Sequence, residues 1–206
     1  MRMEKPTLYY VYDPMCSWCW GYKPIWKQVE ERLSEKVEIQ YVLGGLAPDS
    51  DVPMPEAMQH QITAYWQKIE NYLGTSFNYD FWQQNTPRRS TYPACRAIIA
   101  AREQGAEKPM LDEIQHAYYL DAKNPSDNPI LLGLAESIGL DMTKFESDFL
   151  SDECHQHLLS EIGFARSIGG NSFPSLFVVS SQRVTEIQVN YEDGEDTVSK
   201  VLKLVE

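Results

Sequence analysis

The chain has 206 residues, 43% of them hydrophobic and 12% aromatic, which excludes a disordered or low-complexity protein. Lys and Arg total 18 against 30 Asp and Glu, so the net charge is −12. That sign repels phosphate backbones and anionic lipid and argues against a nucleic-acid or membrane-surface role.

The first apolar run, Leu8 to Tyr12, is aromatic and β-branched and stops at Asp13-Pro14, as a buried strand would. From Cys16 the period changes, and Trp18, Tyr22, Ile25, Trp26, Val29 and Leu33 form the stripe of an amphipathic helix. Pro24 lies inside it, removes one donor and opposes the carbonyl of Trp20, which predicts a kink. Val37, Ile39, Tyr41 and Leu43 alternate as a second strand ending at Gly44-Gly45. Pro48, Pro53 and Pro55 then lead into helices. Met58, Ile62, Tyr65, Trp66, Ile69 and Tyr72 mark the first of these, Pro93–Gln104 the second, and Met110–Leu120 and Ile130–Ile138 follow. A short helix carries Met142, Phe145 and Phe149, and a longer one runs through Leu158, Leu159, Ile162 and Ala165 to Gly169-Gly170. No strand pattern interrupts residues 50–170. Strands return at Ser175–Val179 and, after a turn at Ser180 to Arg183, at Thr185, Ile187 and Val189; Val198, Val201, Leu202 and Val205 close the chain as a helix.

This order predicts an α/β fold. Two half-sheets join into one, because an isolated pair of strands is marginal in water. Residues 1–48 and 152–206 would form the sheet domain, and 49–151 an inserted all-helical domain. No apolar run approaches the roughly 20 residues of a membrane helix, and the N-terminus lacks a signal-type stretch, so a cytoplasmic location is expected.

Four cysteines are too few for a disulfide scaffold. Cys16-Ser17-Trp18-Cys19 is a close pair where a strand gives way to a helix. The unpaired N–H groups and positive end of the helix favour a thiolate at Cys16, which makes it the expected nucleophile, and Cys19 is placed to resolve. Asp13 opposes that effect. A zinc half-site or two ordinary buried cysteines are the competing readings; the strand-to-helix position favours redox chemistry.

The segment Asp13-Pro-Met-Cys-Ser-Trp-Cys-Trp-Gly-Tyr22 resembles the active-site segment of DsbA-like thioredoxin-fold proteins, and especially their cytoplasmic FrnE-type branch. The stretch Leu134 to Asp141, Phe145, Gly169-Gly170 and Phe173-Pro174 is similar too. The resemblance implies a thioredoxin-like fold with an inserted all-helical domain, and thiol–disulfide exchange without a metal or organic cofactor. It further implies that Pro174 is the cis-proline facing the cysteine pair and that the backbone of Phe173 pairs with substrate. Phe173 is bulkier than is usual there, and no His separates the cysteines, so a reductase or isomerase is expected rather than a secretory oxidant. The substrate would be a protein or small-molecule thiol or disulfide, with glutathione or a partner reductase resetting the pair. A glutathione-dependent isomerase, a kappa-type glutathione transferase, and a non-catalytic chaperone or adaptor are the alternatives.

Trp18, between the cysteines, is expected to be exposed and to touch substrate; Trp20, Tyr22 and Trp26 read mostly as core. Cys154, His155 and His157 lack further ligands at zinc spacing, so the histidines read as solvated or capping. Cys95 reads as a small buried hydrophobe, and Arg88-Arg89 as a solvated pair.

Overall fold

The computed structural model describes residues 5–180 and 183–205. Residues 181 and 182 of the expected turn, and residues 1–4 of the N-terminus, lie outside them.

A four-stranded sheet has the order β2-β1-β3-β4, with β1 at Thr7–Tyr12, β2 at Glu38–Leu43, β3 at Ser175–Ser180 and β4 at Arg183–Ile187. β1 runs parallel to β2 and antiparallel to β3, and β3 is antiparallel to β4. Successive side chains of β1 point to opposite faces. Leu8, Tyr10 and Tyr12 join a core that includes Tyr22, Trp26, Val29 and Leu33 of helix α1 (Ser17–Leu33) and Val198 and Val201 of the last helix, Gly194–Val205. Val11, on the other face, packs with Val42, Phe177 and Ala165.

Between β2 and β3 the chain builds helices only, apart from a single bridge between Pro53 and Arg88. In order these are α2 (Glu56–Leu73), α3 (Phe81–Gln84), α4 (Tyr92–Arg102), α5 (Glu107–Tyr119), α6 (Asn128–Ser137), α7 (Met142–Phe149) and α8 (Asp152–Ser167); Gly194–Val205 is then α9. α4 buries every residue from Pro93 to Ala101 except Arg96, because it runs through the middle of this block, touching α5, α6, α7 and α8. α8 touches both α4 and β2, so sheet and helical block share one continuous core.

Several boundaries differ from the sequence reading for local reasons. β4 ends at Ile187: its partner there is Leu176, and the same register would set Val189 against Pro174, which has no N–H to offer. α8 starts six residues before Leu158, where Ser151 caps it by accepting from the N–H of Cys154 at 3.0 Å. α1 continues through Pro24. On α2 only Ile62, Trp66 and Ile69 are buried, while Tyr65 and Tyr72 face solvent. The four-residue α3 is too short to show a period.

Two contacts hold the loop that leads into β3. The peptide bond Phe173–Pro174 is cis. The Phe173 ring lies against Gly44, just past β2, so closely that a Cβ on Gly44 would stand 1.9 Å from a ring carbon. The guanidinium of Arg166 of α8 lies over that ring, 5.3 Å from its centroid, and donates to the carbonyls of Gly44, at 2.8 Å, and Gly170. Gly44→Ala should therefore displace the Phe173 ring and lower stability by about 1–3 kcal/mol, as overpacking does. Adding Phe173→Val should recover most of the loss, and a thermal-denaturation double-mutant cycle reads the coupling directly.

Candidate active site

Cys16 occupies the N-cap position of α1, its backbone still extended, and its carbonyl accepts the first helical bond from Trp20 at 3.1 Å. Its sulfur thus lies beside N–H groups that the helix leaves unpaired. The thiol is held below its ordinary range chiefly by a hydrogen bond from the Cys19 thiol. Burial works against this, the N–H groups of Cys19 and Trp18 assist, and the charge of Asp13 opposes. Cys19 is fully buried, and burial together with its bond to Cys16 pushes its thiol well above the ordinary range. One sulfur is poised as thiolate and its neighbour as thiol, the asymmetry that disulfide exchange uses.

Cys16 is 7% exposed, through a cavity of about 340 Å³. Its walls come from four places: Met15 to Trp18 at the head of α1, Leu46 after β2, Asn171 to Phe173 before β3, and residues of the helical block that include Met58, Ile62, Tyr65, Arg89 and Tyr118. The Cys16 thiol donates to the carbonyl of Phe173 at 3.5 Å, so that carbonyl, expected to await substrate, is engaged by the thiol in this state. Pro174 is buried and does not line the cavity; Phe173 does. Trp18 also lines it but is half-buried rather than exposed, edge-on to Tyr191 at 5.2 Å with the Lys68 ammonium 5.8 Å from its ring centre. Trp20 is half-buried, stacks on Tyr119 and donates to the carbonyl of Ser76, and Tyr22 and Trp26 are core as expected.

Asp13 matters more than the sequence reading allowed. Its carboxylate is fully buried and accepts from the N–H of Met15 at 2.8 Å, the N–H of Leu46 at 2.7 Å, the Thr91 hydroxyl at 2.7 Å and the Cys95 thiol at 3.5 Å. Burial raises its pKa, and these four bonds pull the other way. Cys95 is therefore a donor to the site and not merely a hydrophobe; burial and then the Asp13 charge keep it protonated. The dipeptide Asp13-Pro14 was the available signal, and it reads equally as a strand stop.

Arg88 and Arg89 are not a solvated pair. Arg88 donates to the Ser126 carbonyl and pairs with Asp127, both at 2.7 Å, whereas Arg89 is exposed at the rim of the Cys16 cavity. Cys154 is buried, donates to the carbonyl of Arg96 at 3.5 Å, and burial raises its thiol to about 11. His155 lies 3.4 Å from Arg96 and His157 is exposed. Among the described residues no three His, Cys, Asp or Glu side chains gather as a metal site, and no helix is long and apolar enough to cross a membrane.

Comparison with known proteins bears on the family and the fold. The family model described as Thioredoxin matches residues 9–198. A Nitrosomonas europaea structure provisionally described as a protein disulfide isomerase superposes with a TM-score of 0.84 at 28% identity, covering 98% of this chain and 97% of that one. The cytosolic disulfide reductase DsbM from Pseudomonas aeruginosa superposes at 0.79 with 22% identity, covering 96% and 98%, which speaks to the fold alone. The ClpXP adapter protein SpxH of Bacillus subtilis (strain 168) is 26% identical over 187 residues, 89% of this chain. The chain spans only 62% of that relative's length. With a matching family model over most of its length, the chain belongs to the thioredoxin family, and the sheet order with a helical block between β2 and β3 gives it a DsbA-like fold.

Proposed function

We propose that the protein is a thiol–disulfide oxidoreductase working through Cys16 and Cys19 in the reducing or isomerising direction, on protein or small-molecule disulfides. The observation that carries this reading is the split within the pair: Cys16, lowered and opening on the cavity, and Cys19, raised and sealed. The Cys16 thiolate attacks a substrate disulfide, forming a mixed disulfide and expelling one substrate thiolate. Cys19 loses its proton and attacks the Cys16 sulfur, the second substrate thiolate leaves, and the pair keeps the disulfide while substrate gains two electrons. Trp18 and Phe173 form the walls against which the substrate segment lies, with Pro174 fixing the loop behind them. Two equivalents of glutathione, or a partner reductase, would return the pair to the dithiol; a DsbM structure described with GSH supports testing glutathione first.

Direction follows from how strongly the thiolate is held. A strongly stabilised thiolate makes an oxidant, with a potential near DsbA's roughly −120 mV, against roughly −270 mV for thioredoxin. Here Asp13 and burial resist the thiolate, and no His lies between the cysteines, which supports the reducing end and a cytoplasmic setting. A second reading comes from the curated relatives, which carry the name ClpXP adapter protein: the chain would then present a partner without turning over disulfides.

Three outcomes are expected. Cys16→Ala abolishes reduction of a disulfide-bonded reporter such as insulin, and Cys19→Ser accumulates mixed disulfides with substrate from cell extract; full turnover by Cys16→Ala would refute the mechanism and leave the adaptor reading. Titrating thiolate ultraviolet absorbance of the reduced protein should give a single midpoint below the ordinary thiol value of about 8.5, lost in Cys16→Ala, while Cys19, Cys95 and Cys154 stay protonated there. Asp13→Asn removes a negative charge that disfavours the thiolate, so that midpoint should move further down and the measured potential should become less reducing.

A further inference from the structure

The cavity over Cys16 carries a charge for which thiol exchange alone has no use. In a chain of net charge −12, no acidic side chain among the described residues lines it, and its one cation is Arg89 at the rim. Other arginines of the chain are already paired. Arg88 is held by Asp127 and the Ser126 carbonyl, Arg96 by both oxygens of Asp49, and Arg166 by the carbonyls of Gly44 and Gly170. Arg89 has neither an ion pair nor a hydrogen bond among the described residues.

An unpaired arginine on a surface is ordinary, since water satisfies it. What sets this one apart is its neighbour. Tyr118 lines the same cavity and is only 5% exposed, and its hydroxyl makes no hydrogen bond among the described residues. A buried phenol normally finds a partner, so one left open beside a free guanidinium calls for an acceptor from outside. The ring cannot easily swing away, because Tyr119, Phe81 and Trp66 pack on it at centroid distances of 4.4, 4.8 and 5.6 Å. Burial raises the Tyr118 pKa, the Arg89 charge draws it back, and Asp13 and Cys16 add to the rise, so the phenol lies within electrostatic reach of both the guanidinium and the reacting sulfur. Guanidinium and phenol both offer donors, and a carboxylate, with two acceptor oxygens, answers them better than an amide or an ammonium does. The cavity, about 340 Å³, is at the small end of ligand pockets and admits a short carboxylate-bearing arm.

We infer that Arg89 and Tyr118 form an anion subsite, which selects disulfides bearing a carboxylate a few bonds from the attacked sulfur, on a free thiol compound or on an acidic residue beside a half-cystine. The inference rests on the exchange reading above and names its substrate class. In the step it serves, the Cys16 sulfur bonds to the nearer substrate sulfur, the substrate S–S bond breaks, and the far sulfur leaves as a thiolate with that electron pair. The subsite holds the carboxylate of the half that becomes attached and takes no part in the electron transfer. The net negative charge of the chain repels such substrates at long range, and Arg89 reverses that preference at the point of attack.

Three disulfides with matching two-carbon arms test this: dithiodipropionate, hydroxyethyl disulfide and cystamine, ending in carboxylate, hydroxyl and ammonium. Stopped-flow loss of thiolate absorbance gives the rate at which each modifies Cys16, and mass spectrometry confirms the adduct. Each rate is divided by that of an uncharged free thiol, which removes differences between the leaving thiols. In the parent these normalised rates should fall in the order carboxylate, hydroxyl, ammonium. Arg89→Gln should lower the carboxylate-to-hydroxyl ratio about fivefold, the upper end for an exposed ion pair. Tyr118→Phe should lower it at least about threefold, the low side of one hydrogen bond. Any change in the Cys16 thiol itself cancels in that ratio. Lys68→Gln removes the same charge from over the Trp18 ring, outside the cavity wall, and should move the ratio less than Arg89→Gln does. Added salt should bring the parental ratio down toward that of Arg89→Gln. Cystine-bridged peptides differing only in Asp or Asn beside the half-cystine then place the source. An Arg89-dependent preference for Asp would extend the supported subsite to protein segments, and equal rates would confine it to free thiol compounds. No carboxylate preference in the parent, a ratio unmoved by Arg89→Gln, an equal loss with Lys68→Gln, or a ratio indifferent to salt would each overturn the inference. Failure of all three disulfides to modify Cys16 would instead sink the exchange reading on which it rests.

Discussion

The structure turns on one buried carboxylate. Asp13 ends β1, and through Met15 it shapes the turn into α1; through Leu46 it fixes the chain leaving β2; through Thr91 and Cys95 it takes hold of the head of α4. These belong to three stretches of sequence that the helical insertion would otherwise leave free to shift. A charge without solvent is costly unless its lone pairs are filled, and here two of the neighbours that fill them, Met15 and Leu46, line the Cys16 cavity. The carboxylate therefore assembles the cavity and at the same time leans electrostatically against the Cys16 thiolate. Anchoring and redox poise are set by the same atoms, so neither can be retuned without touching the other.

From that joint the difference between the two sulfurs follows. Cys16 sits where the helix has not yet closed its hydrogen bonds, and Cys19 three residues on lies inside the first turn, among Tyr10, Tyr22 and Trp26. The hydrogen bond from the Cys19 thiol, helped by N–H groups of the first turn, lowers the Cys16 thiol, while burial and that same bond keep Cys19 protonated. The aromatic stripe that fills the sheet side of α1 does double service: it forms the core, and it helps to bury Cys19.

The parts of this arrangement that were legible in sequence are those with a period or a fixed spacing. The strand-helix-strand opening, the helical block, the two later strands and the cysteine pair all announce themselves locally, and the family resemblance added the cis bond before Pro174. What escaped was whatever depends on distant residues meeting. Asp13 reads as a strand stop until Leu46, Thr91 and Cys95 close on it. Arg88 and Arg89 look alike in sequence, but Asp127 claims one and leaves its neighbour on the rim of the cavity. Phe173 looked too large for its loop because nothing local shows that Gly44 supplies the missing volume from beyond another strand. Trp18 looked free because its partners, Lys68 of α2 and Tyr191 before α9, are distant from it in sequence.

The helical insertion is then more than a cover. Its helix α5 borders the cysteine pair on both sides, with Tyr118 in the wall of the Cys16 cavity and Leu111, Asp112 and Gln115 in the wall of a small crevice that Cys19 also lines. These positions recur at three- and four-residue steps, so one rigid helix face spans the two openings. Tyr118 is locked there by Trp66, Phe81 and Tyr119, which ties the front wall to the aromatic core of the block. The sheet side supplies the two sulfurs and the electrostatics that divide them. The insertion walls much of the approach to the first sulfur and part of the surroundings of the second, so under the proposed exchange function changes confined to it would alter which disulfides react without altering the thiol pair itself.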